Sequence, residues 1–430
     1  VKIQEQSALR EVLGTVDIPK MLTVRQRFKR DGIPDVSSCL REKLMREDLM
    51  RRIQPGMKVV LTGSSRQVAN MSAVLRELAA FVRGCGATPW IIPAMGSHGG
   101  GTAVGQRAIL EGYGITEAAC GCRIFSSMET VRVGHLDNGD EVCVDRFAHD
   151  ADAVIVVGRI KPHTAFRGTY ESGLVKMMAI GMGKREGADS LHRSGFGAMG
   201  ERLPKYARVV FDHCNVVFGV GLIENEFDET CRIEVLPAED IFAREPELLE
   251  YARGRMPRIL LPETDVLVVR EIGKNFSGSG MDPNVTGTFG TPYASGGIKK
   301  QRVVVLDISQ ESHGSFIGLG KADVTTLRAF GNLATNATYL NMLTSTVLEV
   351  GKIPMVLEDD RLAIQAAIKT LTGVDRSRVR VVYIKNTLSL ASVMISEALV
   401  EEARATEGIE VLGDPEPLRF DERGNLLDLA

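Results

Sequence analysis

The chain has 430 residues, of which 44% are hydrophobic and 25% are charged, and its formal net charge at pH 7 is −3. That composition is typical of a globular protein, and the small negative charge gives no electrostatic reason to expect nucleic acid or a membrane as a partner. No apolar run reaches the roughly 18 residues of a transmembrane helix, the first residues are too polar for a signal peptide, and the seven cysteines are scattered and odd in number, which together favour the reducing cytoplasm.

The first half of the chain alternates between apolar strands and amphipathic helices. Strands are predicted over 21–28, 58–62, 89–93 and 154–157, with shorter ones near 131 and 142. Helices are predicted over 37–53, 68–83, 102–111 and 239–253. This alternation predicts a parallel sheet with helices on its faces, and in such sheets ligands bind beyond the carboxyl ends of the strands.

Two prolines, Pro257 and Pro262, indicate a domain boundary, after which a second alternating region begins. Its strands are predicted over 266–270, 303–308, 355–357 and 379–384, and its helices over 323–329, 335–350, 361–371 and 392–403. A loop over 273–297, rich in Gly, Ser and Asn, is long enough to indicate a function or mobility. We therefore expect an α/β fold of two domains, 1–256 and 257–430, each with a mainly parallel sheet flanked by helices.

Three residues with useful chemistry follow predicted strands directly: Arg66, His98 and His163. Their shared position at strand ends is a stronger signal than any one of them alone. Histidine is the usual acid–base group near neutral pH and a common metal ligand, and two histidines on opposite sides of a bound molecule could exchange protons with both faces. Arg66 could bind a carboxylate, a phosphate or a neighbouring acidic side chain.

The stretch from Val154 to His192 is rich in glycine, which lets a backbone approach a bulky ligand. Within it, Lys176 lies among apolar residues. It is either a lysine whose head reaches solvent or a desolvated amine that bonds covalently to a cofactor or substrate. The segment Gly96–Gly101 opens a predicted helix and could hold a phosphate on its backbone N–H groups.

In this order, the segments resemble the nickel-dependent lactate racemase family. SSR, ending in Arg66, resembles the family's Asp-x-x-Arg motif, and AMGSH, ending in His98, resembles its Gly-x-His motif. Four residues then match the family's His…Gly…Lys…His block in order and with similar gaps: His163, Gly173, Lys176 and His192. The resemblance covers most of the chain, and this block is its most specific part.

The resemblance implies an active site in the cleft between two α/β domains. It also implies a nickel-pincer nucleotide, in which nickel is bound to pyridinium-3,5-bisthiocarboxylic acid mononucleotide. Lys176 would be the covalent attachment point of this cofactor and His192 the protein ligand of nickel. His98 and His163 would be the paired acid–base residues, and Arg66 would hold the substrate carboxylate. The implied reaction inverts C2 of a 2-hydroxy acid by proton-coupled hydride transfer, in a racemase or epimerase.

Further contacts and partners are expected around these residues. Additional cofactor contacts are expected at Ser65, Gly96 and Ser97. MDPN at 281–284 resembles a downstream Asp-x-Asn segment of the family, and the substrate contacts expected in this region are Lys274, Asp282 and Asn284. The expected partners are a small 2-hydroxy acid, the enzymes of cofactor biosynthesis and a second copy of the chain in a homo-oligomer.

The sequence departs from the family pattern on the substrate side. Gly63 stands where the family has an acidic residue, the loop between His163 and Lys176 is a few residues longer, and Gly290 falls near the position of a family lysine. Candidate substitutes for that lysine are Lys274, Lys299 and Lys300.

These departures favour a substrate other than lactate. Room at Gly63 and the Ser- and Asn-rich loop over 275–284 favour a longer polyhydroxylated substrate, such as an aldonic acid. Two alternatives stay open: a lyase or dehydrogenase of a hydroxy acid in the same fold, and a non-catalytic nucleotide binder.

Overall fold

The computed structural model describes residues 7–64 and 68–427, so the predicted contacts Ser65 and Arg66 lie outside the described residues. The chain folds into two compact units. The central unit is Arg30–Met256, and the terminal unit combines Val1–Lys29 with Pro257–Ala430. No helix in the described ranges is both long and apolar enough to cross a membrane.

The strands of the described residues form three sheets. In chain order they are β1 (Met21–Gln26), β2 (Lys58–Gly63), β3 (Thr88–Pro93), β4 (Arg123–Ile124), β5 (Thr130–His135), β6 (Glu141–Asp145), β7 (Ala153–Arg159), β8 (Val216–Glu224), β9 (Thr230–Pro237), β10 (Val266–Ile272), β11 (Arg302–Ile308), β12 (Val324–Thr326), β13 (Met355–Leu357), β14 (Val381–Ile384), β15 (Ser392–Ser396) and β16 (Ile409–Glu416).

Helices connect most of these strands. In chain order they are α1 (Ser7–Leu13), α2 (Val36–Leu44), α3 (Glu47–Met50), α4 (Met71–Gly84), α5 (Ala103–Gly112), α6 (Glu117–Cys120), α7 (Arg146–His149), α8 (Leu174–Lys176), α9 (Lys184–His192), α10 (Met199–His213), α11 (Ile241–Gly254), α12 (Pro283–Thr286), α13 (Leu327–Gly331), α14 (Thr335–Ser345), α15 (Asp360–Lys369) and α16 (Val400–Ala405). Met177–Gly181 forms a π-helical turn that continues α8, and Gly99–Gly101 forms a 3₁₀ turn.

The central unit is built on a six-stranded sheet of order β4-β3-β2-β7-β8-β9, parallel except for the antiparallel pair β8–β9. β7 is the predicted β-branched strand, and its residues are buried from Ala153 to Gly158. Leu61 and Ile155 in this sheet share a buried core with Val74 and Leu78 of α4. The predicted α/β class with mainly parallel sheets is thus confirmed, because continuous apolar strands need cover on both faces.

One predicted helix of the central unit is broken. The pattern predicted a single helix over 37–53, but α2 ends at Leu44 and α3 begins at Glu47, with Arg46 extended between them. Leu44 and Leu49 are both fully buried although they stand five residues apart. Five residues is out of phase with a 3.6-residue turn, so the break is what lets both face the core.

The terminal unit has an eight-stranded sheet of order β13-β12-β11-β10-β14-β15-β1-β16. The strands from β13 to β14 are parallel, and the remaining pairs are antiparallel. Two predicted helices here are wrong in their first halves: 323–329 begins with β12, and 392–403 begins with β15. In β15, Val393 and Ile395 are buried with period 2, so an alternating pattern in SVMIS was mistaken for a helical one.

The first segment of the chain belongs to the terminal unit, whereas the predicted N-terminal domain of 1–256 included it. β1 is hydrogen-bonded between β15 and β16, both some 370 residues or more downstream. Its Leu22 and Val24 are buried in the core of that sheet. That part of the predicted division is therefore wrong, because strand pairing across the whole chain, not chain proximity, decides where β1 packs.

Candidate active site

The two predicted catalytic histidines lie in loops at the same edge of the central sheet. His98 follows β3 and His163 follows β7, with β2 paired between these two strands. Both residues are half-buried. Because the three strands are parallel, their carboxyl ends lie at one edge, where α/β sheets bind ligands. Arg66, which follows β2 along the chain, lies outside the described residues.

A buried amide holds the His98 loop. Gln106 of α5 is fully buried, and its Nε2 donates to the carbonyl oxygens of Gly96 at 2.8 Å and His98 at 3.3 Å. The N–H of Gly96 donates to the carbonyl of Gly181 at 3.2 Å. Gly96 has a φ of 57°, and a Cβ there would lie 3.1 Å from Ile180. The loop is therefore fixed against the helical turn that follows Lys176.

A buried ion pair stands behind this amide. Lys184 and Asp145 are both fully buried, with Nζ and Oδ2 2.8 Å apart. The same Nζ donates to the carbonyl of Pro93 at 2.6 Å and to Oε1 of Gln106 at 3.3 Å. Burial raises the pKa of Asp145 and lowers that of Lys184, against the attraction between the two charges. The pair ties the end of β6 to the start of α9, and the bond to Pro93 adds the end of β3.

The His163 loop is organised around the fully buried carboxylate of Glu171. This carboxylate accepts the N–H of His163 at 2.7 Å and that of Gly168 at 3.1 Å. Two guanidinium groups balance its charge, Arg167 at 3.4 Å and Arg253 of α11 in direct contact. Glu171 thereby fixes the backbone from which the imidazole projects.

The same loop is closed at its base by backbone pairing. The N–H of Lys161 donates to the carbonyl of Ser172 at 2.9 Å, and the reverse bond is 3.2 Å long. Most of the chain between His163 and Lys176 thus lies within a closed loop. Although this loop is longer than in the family pattern, the backbone pair at Ser172 fixes the chain only a few residues before Lys176.

Two phenylalanines surround the histidines at this edge. The ring of His163 lies 4.5 Å from Phe166 and 6.0 Å from Phe196, and the ring of His192 lies 5.3 Å from Phe196. Phe196 therefore contacts both imidazoles. Nδ1 of His163 accepts the N–H of Ala165 at 3.1 Å, so the neutral ring carries its proton on Nε2.

Lys176 and His192 are near enough for the charge of Lys176 to act on the imidazole of His192. Lys176 is the last residue of α8, and His192 is the last residue of α9. Burial and the positive charge of Lys176 lower the pKa of His192 to about 4, so its imidazole is neutral at pH 7. Nδ1 of His192 is buried and has no hydrogen-bond partner among the described residues. An unsatisfied buried nitrogen is costly, and a neutral imidazole is the form that binds nickel.

A single histidine does not complete the coordination shell of a metal ion. Within residues 7–64 and 68–427, no three side chains of His, Cys, Asp or Glu come together as a ligand set. A cofactor that carries a metal would supply the other ligands if it bound at His192. The amine of Lys176, whose charge acts on His192, could carry such a group, so the residues present fit a metal-bearing cofactor.

The predicted substrate contacts Lys274, Asp282 and Asn284 belong to the terminal unit. Asp282 caps α12, since its Oδ1 accepts both the backbone N–H and the side-chain amide of Asn284 at 2.9 Å. Lys274 is exposed, and its backbone N–H donates to Ser312 Oγ at 2.8 Å. Asp282 and Asn284 thus shape a turn, and their contact with substrate stays a prediction.

The interpretation of Gly63 as extra room for substrate is wrong. Gly63 is buried, and a Cβ there would lie 2.9 Å from Cδ2 of Leu110, so packing already fills the space. The polar loop over 275–284 is also engaged locally. Its Asn275 accepts the hydroxyl of Ser309 at 2.6 Å. Neither feature now favours a long polyhydroxylated substrate.

Several residues that shape the site had no role predicted from the sequence: Gln106, Asp145, Glu171, Lys184 and Phe196. A role for Glu171 could have been predicted, because a carboxylate in a glycine-rich loop between a histidine and a lysine rarely serves only to contact solvent. Lys184 carried a weaker signal in GMGK. Asp145 and Gln106 lie far from these segments along the chain, and only packing reveals them.

Comparison with known proteins supports the family resemblance. Residues 19–202 match the family model described as the lactate racemase N-terminal domain. No curated protein gives a match. The solved structure of the lactate racemase apoprotein from Thermoanaerobacterium thermosaccharolyticum is similar in fold, with a TM-score of 0.54 and 10% sequence identity over 86% of this chain and 99% of that chain. The segment 19–202 is thus similar to the lactate racemase N-terminal domain, and the chain shares the fold of the solved lactate racemase apoprotein.

Proposed function

We propose that this protein is a 2-hydroxy acid racemase or epimerase that works with a nickel-pincer nucleotide. The observation that carries the proposal is the pairing of Lys176 with His192, an amine beside a neutral imidazole whose buried nitrogen is unused. Lys176 would bear the cofactor and His192 would bind its nickel. The matched family segment, 19–202, includes both residues.

The chain's own residues would handle the proton. When bound, the cofactor would supply a reversible acceptor for the C2 hydrogen as hydride. Inversion further requires that the hydroxyl proton leave and return as each face of C2 is presented. His98 and His163 suit this work, because they leave the sheet edge on opposite sides of β2. Nδ1 of His163 accepts the N–H of Ala165, so His163 would exchange a proton with substrate through Nε2.

The substrate side is proposed only as a 2-hydroxy acid whose carboxylate Arg66 holds. An aldonic acid is one arm of the test rather than a favoured substrate, because Gly63 offers no additional room. A cytoplasmic location, a homo-oligomer and dependence on cofactor-biosynthesis enzymes complete the proposal.

The test is co-expression of the full chain with the cofactor's biosynthetic enzymes. We expect bound nickel, added mass on the peptide that contains Lys176, and C2 epimer formation or deuterium exchange with one member of a panel from lactate to aldonic acids. Lys176→Ala and His192→Ala should abolish inversion, whereas Lys205→Ala, on the exposed side of α10, should not.

Other outcomes separate the alternatives. Net release of a keto acid or loss of water would favour a dehydrogenase or lyase. Nucleotide binding that is unaffected by His98→Ala and His163→Ala, with no turnover of any panel member, would favour a binding protein. An unmodified Lys176 with no bound nickel in the co-expressed wild type would overturn the proposal.

A further inference from the structure

A buried carboxylate from a distant helix caps the turn that carries Lys176. Glu245 of α11 is almost fully buried, and its Oε2 accepts the N–H of Val175 at 2.9 Å. The N–H of Leu174 also acts on this carboxylate, favouring its ionised form. These are among the first N–H groups of α8, which have no partner within the helix. Lys176 follows Val175 directly.

The residue before the helix leaves space for this carboxylate. Gly173 stands at the position where a helix normally supplies its own cap, and as glycine it has no side chain to offer. A Cβ at Gly173 would lie 2.4 Å from Oε1 of Glu245. A side chain at 173 and the carboxylate therefore cannot occupy the site together. The glycine of the family-like block thus has a physical reason: it admits Glu245 over the end of the helix.

The capped turn is packed tightly on the sheet below. A Cβ at Gly219 of β8 would lie 2.6 Å from Leu174, and a Cβ at Gly181 would lie 2.8 Å from the carbonyl of Ala94. The turn thus touches β8 on one side and the His98 loop on the other. A shift of its first residues would displace Lys176 relative to both.

We propose that Glu245 is a positioning residue that fixes the location of Lys176 by capping its helix. Gly173 leaves the space that the carboxylate of Glu245 occupies. The cap is a property of the protein alone, whereas its consequence for cofactor attachment rests on the function proposed above. The two parts are therefore tested by separate readouts.

Hydrogen exchange tests the cap in the full chain without cofactor. In Glu245→Leu, the peptide over 170–181 should lose protection about tenfold or more, as expected for a charge-assisted hydrogen bond that is lost. Glu245→Gln keeps a hydrogen-bond acceptor and should retain most of this protection. Glu247→Leu, an exposed position on the same helix, should leave exchange unchanged. Unchanged protection in Glu245→Leu would overturn the proposal.

A second variant keeps the test decisive if Glu245→Leu does not fold. In Gly173→Ala the new Cβ displaces the carboxylate, so the same peptide should lose protection while Glu245 remains present. A folded Gly173→Ala with wild-type exchange would equally overturn the proposal.

Attachment is then measured as added mass on Lys176 after co-expression with the biosynthetic enzymes. We expect at least a tenfold drop in the labelled fraction for Glu245→Leu, restored by Glu245→Gln and unaffected in Glu247→Leu. Equal labelling in wild type and Glu245→Leu would refute the positioning role. If wild-type Lys176 carries no added mass, the proposed function fails, while the exchange result still decides whether Glu245 caps the helix.

Discussion

Replacing Lys184 with methionine should destabilise the central unit more than any surface substitution in it. Methionine roughly matches the volume of the lysine stem but leaves the carboxylate of Asp145 buried without its cation. The substitution also removes the bonds from Nζ to the carbonyl of Pro93 and to Gln106. The support of the His98 loop is therefore weakened at the same time.

The magnitude follows from the geometry. At 2.8 Å and an effective dielectric constant near 20, the attraction between the two charges is about 6 kcal/mol. Desolvation of both groups already offsets much of it, and removal of one partner from a buried pair typically costs about 3–5 kcal/mol. Because burial raises the pKa of Asp145, the neutral form becomes easier to reach at low pH. The loss should be larger at pH 8 than at pH 5.

The assay is urea unfolding followed by the fluorescence of Trp90, the single tryptophan, which lies on β3 of the central unit. Lys205→Met is the matched control, since its ion pair with Glu201 is largely exposed, and it should show no measurable change. Asp145→Asn combined with Lys184→Met should recover part of the loss. A loss below about 1 kcal/mol for Lys184→Met, or one equal to that of the control, would refute the reasoning.

Three further predictions use the same fluorescence assay. Burial raises the pKa of Glu245 from 4.5 to about 7. Ionisation of this carboxyl group therefore lowers the stability of the wild type by up to about 3 kcal/mol as pH rises through that range, and Glu245→Gln should flatten this decline. Parallel pH curves for the two proteins would contradict the assignment of this effect to Glu245. Gly63→Ala should lower the free energy of unfolding by about 1–3 kcal/mol through its contact with Leu110. At an open site the same substitution should instead stabilise the protein, and that result would show the packing argument to be wrong. Glu171→Gln should cost about 1.5–3 kcal/mol and slow C2 inversion by loosening the backbone of His163, and an unchanged midpoint with unchanged turnover would count against that role.

Local patterns in the sequence identified several strands and helices of the central unit. The β-branched run at 154–157 is a buried strand because such side chains fit a sheet covered on both faces. Loops that follow parallel strands share one edge, so the common setting of His98 and His163 could be predicted from the strand pattern alone. The same local reading failed at 392–403, where period 2 and period 3.6 are hard to separate over a few residues.

Contacts between distant residues were decided only by the tertiary structure. β1 could have joined either sheet, and only pairing with β15 and β16 placed it in the terminal unit. The cap from Glu245 to Val175 joins residues 70 positions apart, and the pair of Lys184 and Asp145 joins the start of α9 to the end of β6. No local pattern predicts such partners. A buried charge has to be paired with a group that the folded structure places beside it, and that group can lie far away along the chain.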